Sequence, residues 1–116
     1  MDIWYYLHKA AEAAGRDKDD PRVHALGALA IRDDKVVVTA KNGFSTQKQP
    51  ESHAERRLLR KCDKGSVVFV ARQRRTGEMG LSRPCPMCDA AMRVRGVKRV
   101  YYSINDSEYG VIDYAR

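Results

Sequence analysis

Nine consecutive residues, Val23 to Ile31, contain no Asp, Glu, Lys or Arg, and both of their alternating sets are small or largely apolar. Val23, Ala25, Gly27, Leu29 and Ile31 share one side of an extended chain, and His24, Leu26, Ala28 and Ala30 share the other. Such a strand offers water no polar face. It needs a covering layer on each side, which excludes a sheet with one wet surface.

The segments around it supply candidate layers. Residues 2–14 read as an amphipathic helix, with Ile3, Trp4, Leu7, Ala10, Ala11 and Ala14 on one face. Asp2 caps its start and Gly15 closes its end. Asp33-Asp34 turns the chain into a Val-rich return strand, Lys35 to Ala40, which the Asn42-Gly43 pair ends. Glu51 to Lys61 reads as a helix, with Ser52 and Glu55 at the spacing of a capping box. Val67 to Ala71 is a short apolar strand, followed by a basic loop over residues 72–83. Pro86 opens a helix that runs to Arg95 and is closed by Gly96. Val97 to Ile104 is a further strand, and Tyr109 to Tyr114 a short edge strand. Helices alternating with apolar strands predict a single α/β domain over residues 1–116, in three α/β/α layers.

Apolar residues at 43% and charged residues at 32% suit a packed domain rather than a disordered chain. No apolar run approaches the ~20 residues that span a bilayer. The first residues lack a signal-peptide pattern, so a cytoplasmic location without membrane association is expected. The three cysteines are an odd count, and Cys85 and Cys88 lie three positions apart. That favours metal or redox chemistry over a disulfide framework.

Charge is segregated. Residues 1–55 hold 8 basic and 9 acidic groups, a net of −1. Residues 56–99 hold 13 and 3, a net of +10, and residues 100–116 hold 1 and 3, a net of −2. An anionic partner near the middle of the chain fits this pattern: a phosphate, a nucleotide or nucleic acid. A solvated basic surface is the alternative.

Two clusters carry the chemistry, His53-Ala54-Glu55 and Pro84-Cys85-Pro86-Met87-Cys88. Two thiolates three positions apart grip one soft metal ion, and zinc suits them. No second cysteine pair exists to close a four-cysteine site, Cys62 being the only other cysteine. His53 brings the count to two sulfurs and a nitrogen, which leaves one position open, as in catalytic zinc sites. Glu55 supplies a carboxylate for proton transfer. Both clusters fall at helix starts, where free amides favour negative charge.

These motifs resemble the zinc-dependent cytidine and deoxycytidylate deaminase superfamily, whose signature is His-x-Glu followed by Pro-Cys-x-x-Cys. The likeness extends over residues 20–104, through the Gly27-Ala28-Leu29-Ala30 strand and the Asn42-Gly43 turn, and is nearest to compact phage or bacterial members. It implies a cytidine-deaminase-like fold, a mixed sheet of four to five strands with a zinc site at two helix N-termini. It implies one zinc ion per chain, held by His53, Cys85 and Cys88, with Glu55 as the proton shuttle. It implies substrate contacts at Asn42 with the sugar, at Phe44, and at Ala54 and Pro84 with the neighbouring Cys85 amide. Homo-oligomers are common in the superfamily. Larger members have a long C-terminal helix after the fourth strand that is not expected here, and the resemblance leaves the direction of the last strand open.

Other readings stand beside these. Cys85 and Cys88 as a structural zinc knuckle, Cys62 as an apolar filler, and His8 and His24 as ordinary hydrogen-bonded histidines are structural alternatives. Asn42 also serves a turn without any function. Tyr101 and Tyr102 fall on opposite faces of one strand, one in the core and the other free to line a pocket. The Arg56, Arg57, Arg60 and Lys61 face and the Arg72, Arg74, Arg75 and Arg83 set are candidates for phosphate contact. The leading functional expectation is hydrolytic deamination of cytosine to uracil in a free nucleoside or nucleotide. The rivals are a deaminase acting on single-stranded DNA or RNA or on tRNA adenosine, and a non-catalytic zinc-stabilised subunit or binding module.

Overall fold

The computed structural model describes residues 2–15, 25–33, 35–41 and 64–114. The elements are α1 (Ile3–Ala13), β1 (Ala25–Arg32), β2 (Lys35–Lys41), β3 (Val67–Gln73), β4 (Met79–Gly80), α2 (Pro86–Arg95), β5 (Arg99–Ser103) and β6 (Tyr109–Asp113). The expected helix over 51–61 lies outside the described residues, as do Asn42, Phe44, His53, Ala54, Glu55, Cys62, His24 and the Arg56–Lys61 face.

The strands form one sheet in the order β2-β1-β3-β5-β6, with β4 added at the end of β3. β1 is antiparallel to both β2 and β3, β3 is parallel to β5 through α2, and β5 is antiparallel to β6. The mixed α/β architecture is the expected one, and the described residues hold six strands where four to five were expected. The extra strand comes from residues 72–83, which are not all loop. β3 runs on to Gln73, turns at Arg74–Glu78, and returns so that Arg72 pairs with Gly80 and Gln73 with Met79.

The end signals act as read. The Asp2 carboxylate accepts from the Tyr5 amide at 3.1 Å, and Gly15 has φ +64°. Gly96 takes the left-handed conformation after α2. Asp33 turns β1 into β2 with a positive φ.

The sheet is covered on both faces. Leu7, Ala10 and Ala11 of α1 pack with Leu29, Ile31, Val67, Phe69, Ala71 and Met79. Ala28, Ala30, Val68, Val70, Val100 and Tyr102 pack with Cys88 and Met92 of α2. The alternation of β1 is thus used on both sides. Helix α1 sits close because Gly27 has no side chain. A Cβ there would lie 1.9 Å from the Ala10 carbonyl oxygen and 2.5 Å from the Ala14 nitrogen.

Among the described residues no helix is long and apolar enough to cross a membrane.

Candidate active site

The chain passes from β3 through the β4 hairpin to the start of α2, so Cys85 lies at the carboxyl end of β3. In parallel α/β units that end of the sheet is where ligands bind. A group of buried hydroxyls holds the approach to α2 there. The Ser82 hydroxyl lies 2.9 Å from the Val70 carbonyl, 3.1 Å from the Ser103 carbonyl and 2.9 Å from the Ser103 hydroxyl. Ser103 donates to the Gly80 carbonyl at 2.7 Å and accepts from the Arg72 amide at 3.2 Å. The Ser82 amide donates to the Ser103 carbonyl at 2.8 Å. Both serines are buried. The residues just before Cys85 are therefore tied to the ends of β3, β4 and β5.

Cys85 is the N-cap of α2, and its sulfur accepts from the Cys88 amide at 3.4 Å. Pro86 has no amide to satisfy at the first helical position. The Asp89 amide returns to the Cys85 carbonyl at 2.8 Å. Cys85 is half-buried and Cys88 fully buried, and both are free of disulfides. Two thiols on the first turn of one helix fit a soft divalent ion such as zinc. Among the described residues no group of three metal-binding side chains occurs. His53, the third expected ligand, and Glu55 lie outside them, as do Asn42, Phe44 and Ala54. Pro84 is described and buried, immediately before Cys85. Lys41, which precedes Asn42 in the sequence, pairs with Gly27 at the same end of the sheet.

Three features escaped the sequence reading. The serine network is one, because hydroxyls in a polar stretch show no periodicity. The second is Tyr114, whose hydroxyl donates to the Asp89 carboxylate one position beyond Cys88. Burial, then the hydrogen bond to Asp89, pushes the Tyr114 phenol above its ordinary range, while Arg93 over the ring opposes the shift. The third is the burial of the Nε of Arg72, a residue already among the phosphate candidates, with no hydrogen-bond partner. An unmet buried donor of this kind costs about 1–3 kcal/mol.

The tyrosine pair is now assigned. Tyr102 faces α2, and the Arg83 guanidinium lies 5.8 Å from its ring centre. Tyr101 faces α1 and stacks on Phe69 at 5.1 Å. His8 is exposed, and its ring lies 6.3 Å from that of Trp4, so its described contact is with a ring rather than a hydrogen-bond partner.

A family model described as the cytidine and deoxycytidylate deaminase zinc-binding region matches residues 2–104. The chain is 26% identical over 114 residues to a tRNA-specific adenosine deaminase of Aquifex aeolicus strain VF5. That match covers 91% of this chain and 68% of the relative. The apo dCMP deaminase of cyanophage S-TIM5 superposes with a TM-score of 0.62 at 21% identity, covering 88% of this chain and 82% of that one. Guanine deaminase of Bacillus subtilis superposes with a TM-score of 0.68 at 21% identity, covering 90% of this chain and 65% of that one. At these identities the two solved structures speak for the fold alone.

Proposed function

The chain belongs to the family of the cytidine and deoxycytidylate deaminase zinc-binding region, and from that premise we propose that it deaminates a cytosine base hydrolytically in a free nucleoside or nucleotide. The observation that carries the reading is the thiol pair on the first turn of α2, at the carboxyl end of β3.

In this reading His53, Cys85 and Cys88 hold one zinc ion per chain. Such an ion supplies a hydroxide nucleophile near neutral pH. Glu55 takes the proton from the attacking water, passes it to ring N3, and later helps protonate the departing amine. A C4–O bond forms, the C4–N bond breaks, ammonia leaves and uracil remains. Asn42 holds the sugar, Phe44 packs beside it, and Ala54 and Pro84 border the base. The serine network ties the segment just before Pro84-Cys85 to β3 and β5, which would limit the reorganisation needed for the two sulfurs to hold such an ion.

A second reading, deamination within a nucleic-acid strand, draws on the net +10 of residues 56–99 and on the name of the Aquifex aeolicus relative. A third is a zinc-stabilised subunit without turnover.

Zinc-loaded protein incubated with cytidine, deoxycytidine, their phosphates, a cytosine-containing single strand and an adenosine-containing stem-loop separates these by mass spectrometry. Conversion of a free nucleoside or nucleotide, abolished in a Glu55→Ala variant that still holds zinc, is the expected result. Conversion of a strand alone selects the second reading, and zinc binding with no turnover on any substrate selects the third. Undiminished turnover in Glu55→Ala removes Glu55 from its role.

A further inference from the structure

The two outer strands of the sheet are built differently. Among the described residues, β2 and β6 lie at its edges. An edge strand offers open backbone groups to any other strand, and lysines, prolines and bulges are the usual defences. Strand β2 carries such defences. Exposed Lys35 and Lys41 stand at its two ends, and its register with β1 shifts between Ala30 and Ile31. Strand β6 reads Tyr-Gly-Val-Ile-Asp, with no lysine and no proline. Its register with β5 runs unbroken from Ser103 opposite Tyr109 to Arg99 opposite Asp113.

Hydrogen bonding fixes which backbone groups of β6 point outward. The Ile104 amide donates to the Glu108 carbonyl at 3.0 Å, and the Tyr114 amide to the Lys98 carbonyl at 3.0 Å. In an antiparallel ladder, bonded pairs alternate with non-bonded ones. Glu108, Gly110, Ile112 and Tyr114 therefore bond towards β5, and the amides and carbonyls of Tyr109, Val111 and Asp113 point away from it. The side chains of these three lie on the face that bears α1, since Tyr109 meets Trp4 and Tyr101. Val111 is 51% exposed and Tyr109 37%. Outward backbone and exposed apolar side chains coincide on one strand.

Symmetry selects the partner. A two-fold axis through Val111 sets Val111 against Val111 of a second copy, and Tyr109 against Asp113. Each of these pairs then exchanges both backbone bonds. On the other face Gly110 comes opposite Ile112, beside the Tyr102 ring that lies over Gly110. The one charge on the strand is Asp113, which its own Arg99 holds at 3.2 Å. The two Asp113 residues fall about 14 Å apart along the joined strands, beyond the screening length of about 8–10 Å. The same operation on β2, about Val38, sets Lys35 directly against Lys41 of the second copy, and like charges so placed oppose pairing. Strand β6 matches its own copy, and β2 repels it.

We propose that two copies of the chain join through their β6 strands, antiparallel about Val111, into one continuous sheet. Both α1 helices then lie on one face of the double sheet and both α2 helices on the other. The two-fold reverses the strand direction, so the Cys85 ends of the two chains point opposite ways and each chain keeps its own site. The interface is independent of the deaminase reading.

Sedimentation equilibrium of zinc-loaded protein over ~1–100 μM tests it in wild type, Val111→Lys and Val36→Lys. Val36 is 49% exposed on β2, so its replacement controls for a surface valine turned to lysine at the other edge. Wild type is expected to dimerise, Val111→Lys to weaken the dimer at least about tenfold, and Val36→Lys to associate as wild type does. A second pair of variants reads the register. Bonded antiparallel partners have Cα atoms about 5.5 Å apart, within the span of a disulfide. Mild oxidation should therefore link Val111→Cys into a covalent dimer. Tyr109→Cys, about 14 Å from its own copy, should link no more than wild type. A wild type that stays monomeric over the whole range overturns the interface. So does a dimer that Val111→Lys leaves intact, or one that Val36→Lys weakens as much. Tyr109→Cys linking as readily as Val111→Cys overturns the two-fold through Val111.

Discussion

The two faces of the sheet are filled by different means. Beneath α1 an aliphatic core is flanked by a run of aromatic rings. Tyr6 meets Phe69 at 5.2 Å, Phe69 stacks on Tyr101 at 5.1 Å, Tyr101 meets Tyr109 at 5.9 Å, and Tyr109 meets Trp4 at 5.4 Å. This run of rings leaves α1 at Tyr6, crosses β3, β5 and β6, and comes back to α1 at Trp4. Beneath α2 the filling is Ala28, Ala30, Val68, Val70, Val100 and Met92, with Tyr102 resting over Gly110, where a Cβ would lie 2.2 Å from its ring. That face is tied at one end by directional hydrogen bonds through Ser82 and Ser103. Ring packing tolerates small rotations, since most of its energy comes from area and only about 0.5–1.5 kcal/mol per pair from ring geometry. Hydroxyl-to-carbonyl bonds do not, since their energy falls steeply with angle. The face that fixes two sulfurs is the one held by bonds with a direction.

The largest expected effect breaks the aromatic face. Phe69 is fully buried between Tyr6 and Tyr101. Phe69→Ala should lower unfolding stability by about 3–5 kcal/mol, read by urea denaturation. Per folded molecule its zinc affinity should stay near that of wild type, because nothing on the α2 face has lost a bond. A zinc affinity that falls in step with stability would show that the two faces are not separable.

A smaller loss should follow at the other face, with a different consequence. Ser103→Ala removes a donor to Gly80 and an acceptor for the Arg72 amide, and takes a partner from Ser82. The expected destabilisation is about 1–3 kcal/mol. Zinc affinity, measured by competition with a chelator, should nonetheless fall about tenfold, in the range seen when outer partners of a metal site are removed. Ser103→Thr, which keeps the hydroxyl, should recover more of the affinity than of the stability. Wild-type zinc affinity in Ser103→Ala would reduce the network to plain packing.

What was legible in the sequence was local. The ends of α1 and α2 follow from Asp2, Pro86 and Gly96, each acting within a few residues of itself. The double-faced β1 follows from its own alternation. The β4 strand was not legible, because two residues carry no pattern, and its place depends on the Met79 amide donating to Asp106 at 2.8 Å from far along the chain. The serine network has the same origin: Ser82 and Ser103 become buried only when three strand ends meet. Alternation put Tyr101 and Tyr102 on opposite faces but could not name them. Trp4, Phe69 and Tyr109 settle which is which. Of the expected site, the motif announces Cys85 and Cys88, and the structure puts both on one helical turn. The partners expected for them, His53 and Glu55, rest on the motif and the family.

The smallest expected effect concerns the second tie on the α2 face. Tyr114 leaves β6, its amide bonds to the Lys98 carbonyl at 3.0 Å, and its hydroxyl reaches Asp89 on the first turns of α2. Arg93 lies over the ring, 5.2 Å from its centre. Tyr114→Phe keeps the ring and that cation contact and deletes only the hydroxyl. Because the group is partly exposed, the loss should be about 1 kcal/mol or less. The pH dependence separates this tie from the serine network. Burial and Asp89 hold the Tyr114 phenol above its ordinary value of 10.0, so the folded state keeps its proton where the unfolded chain gives it up. The contribution is complete below pH 10 and drains away as pH rises through the folded-state value. Wild-type stability should therefore decline above pH 10 more steeply than that of Tyr114→Phe, with the two curves parallel below it. Ser103→Ala removes no ionisable group and should retain the wild-type slope. Equal slopes in wild type and Tyr114→Phe would show that neither burial nor Asp89 holds the phenol in solution, and would leave the serines as the tie that distinguishes the two faces.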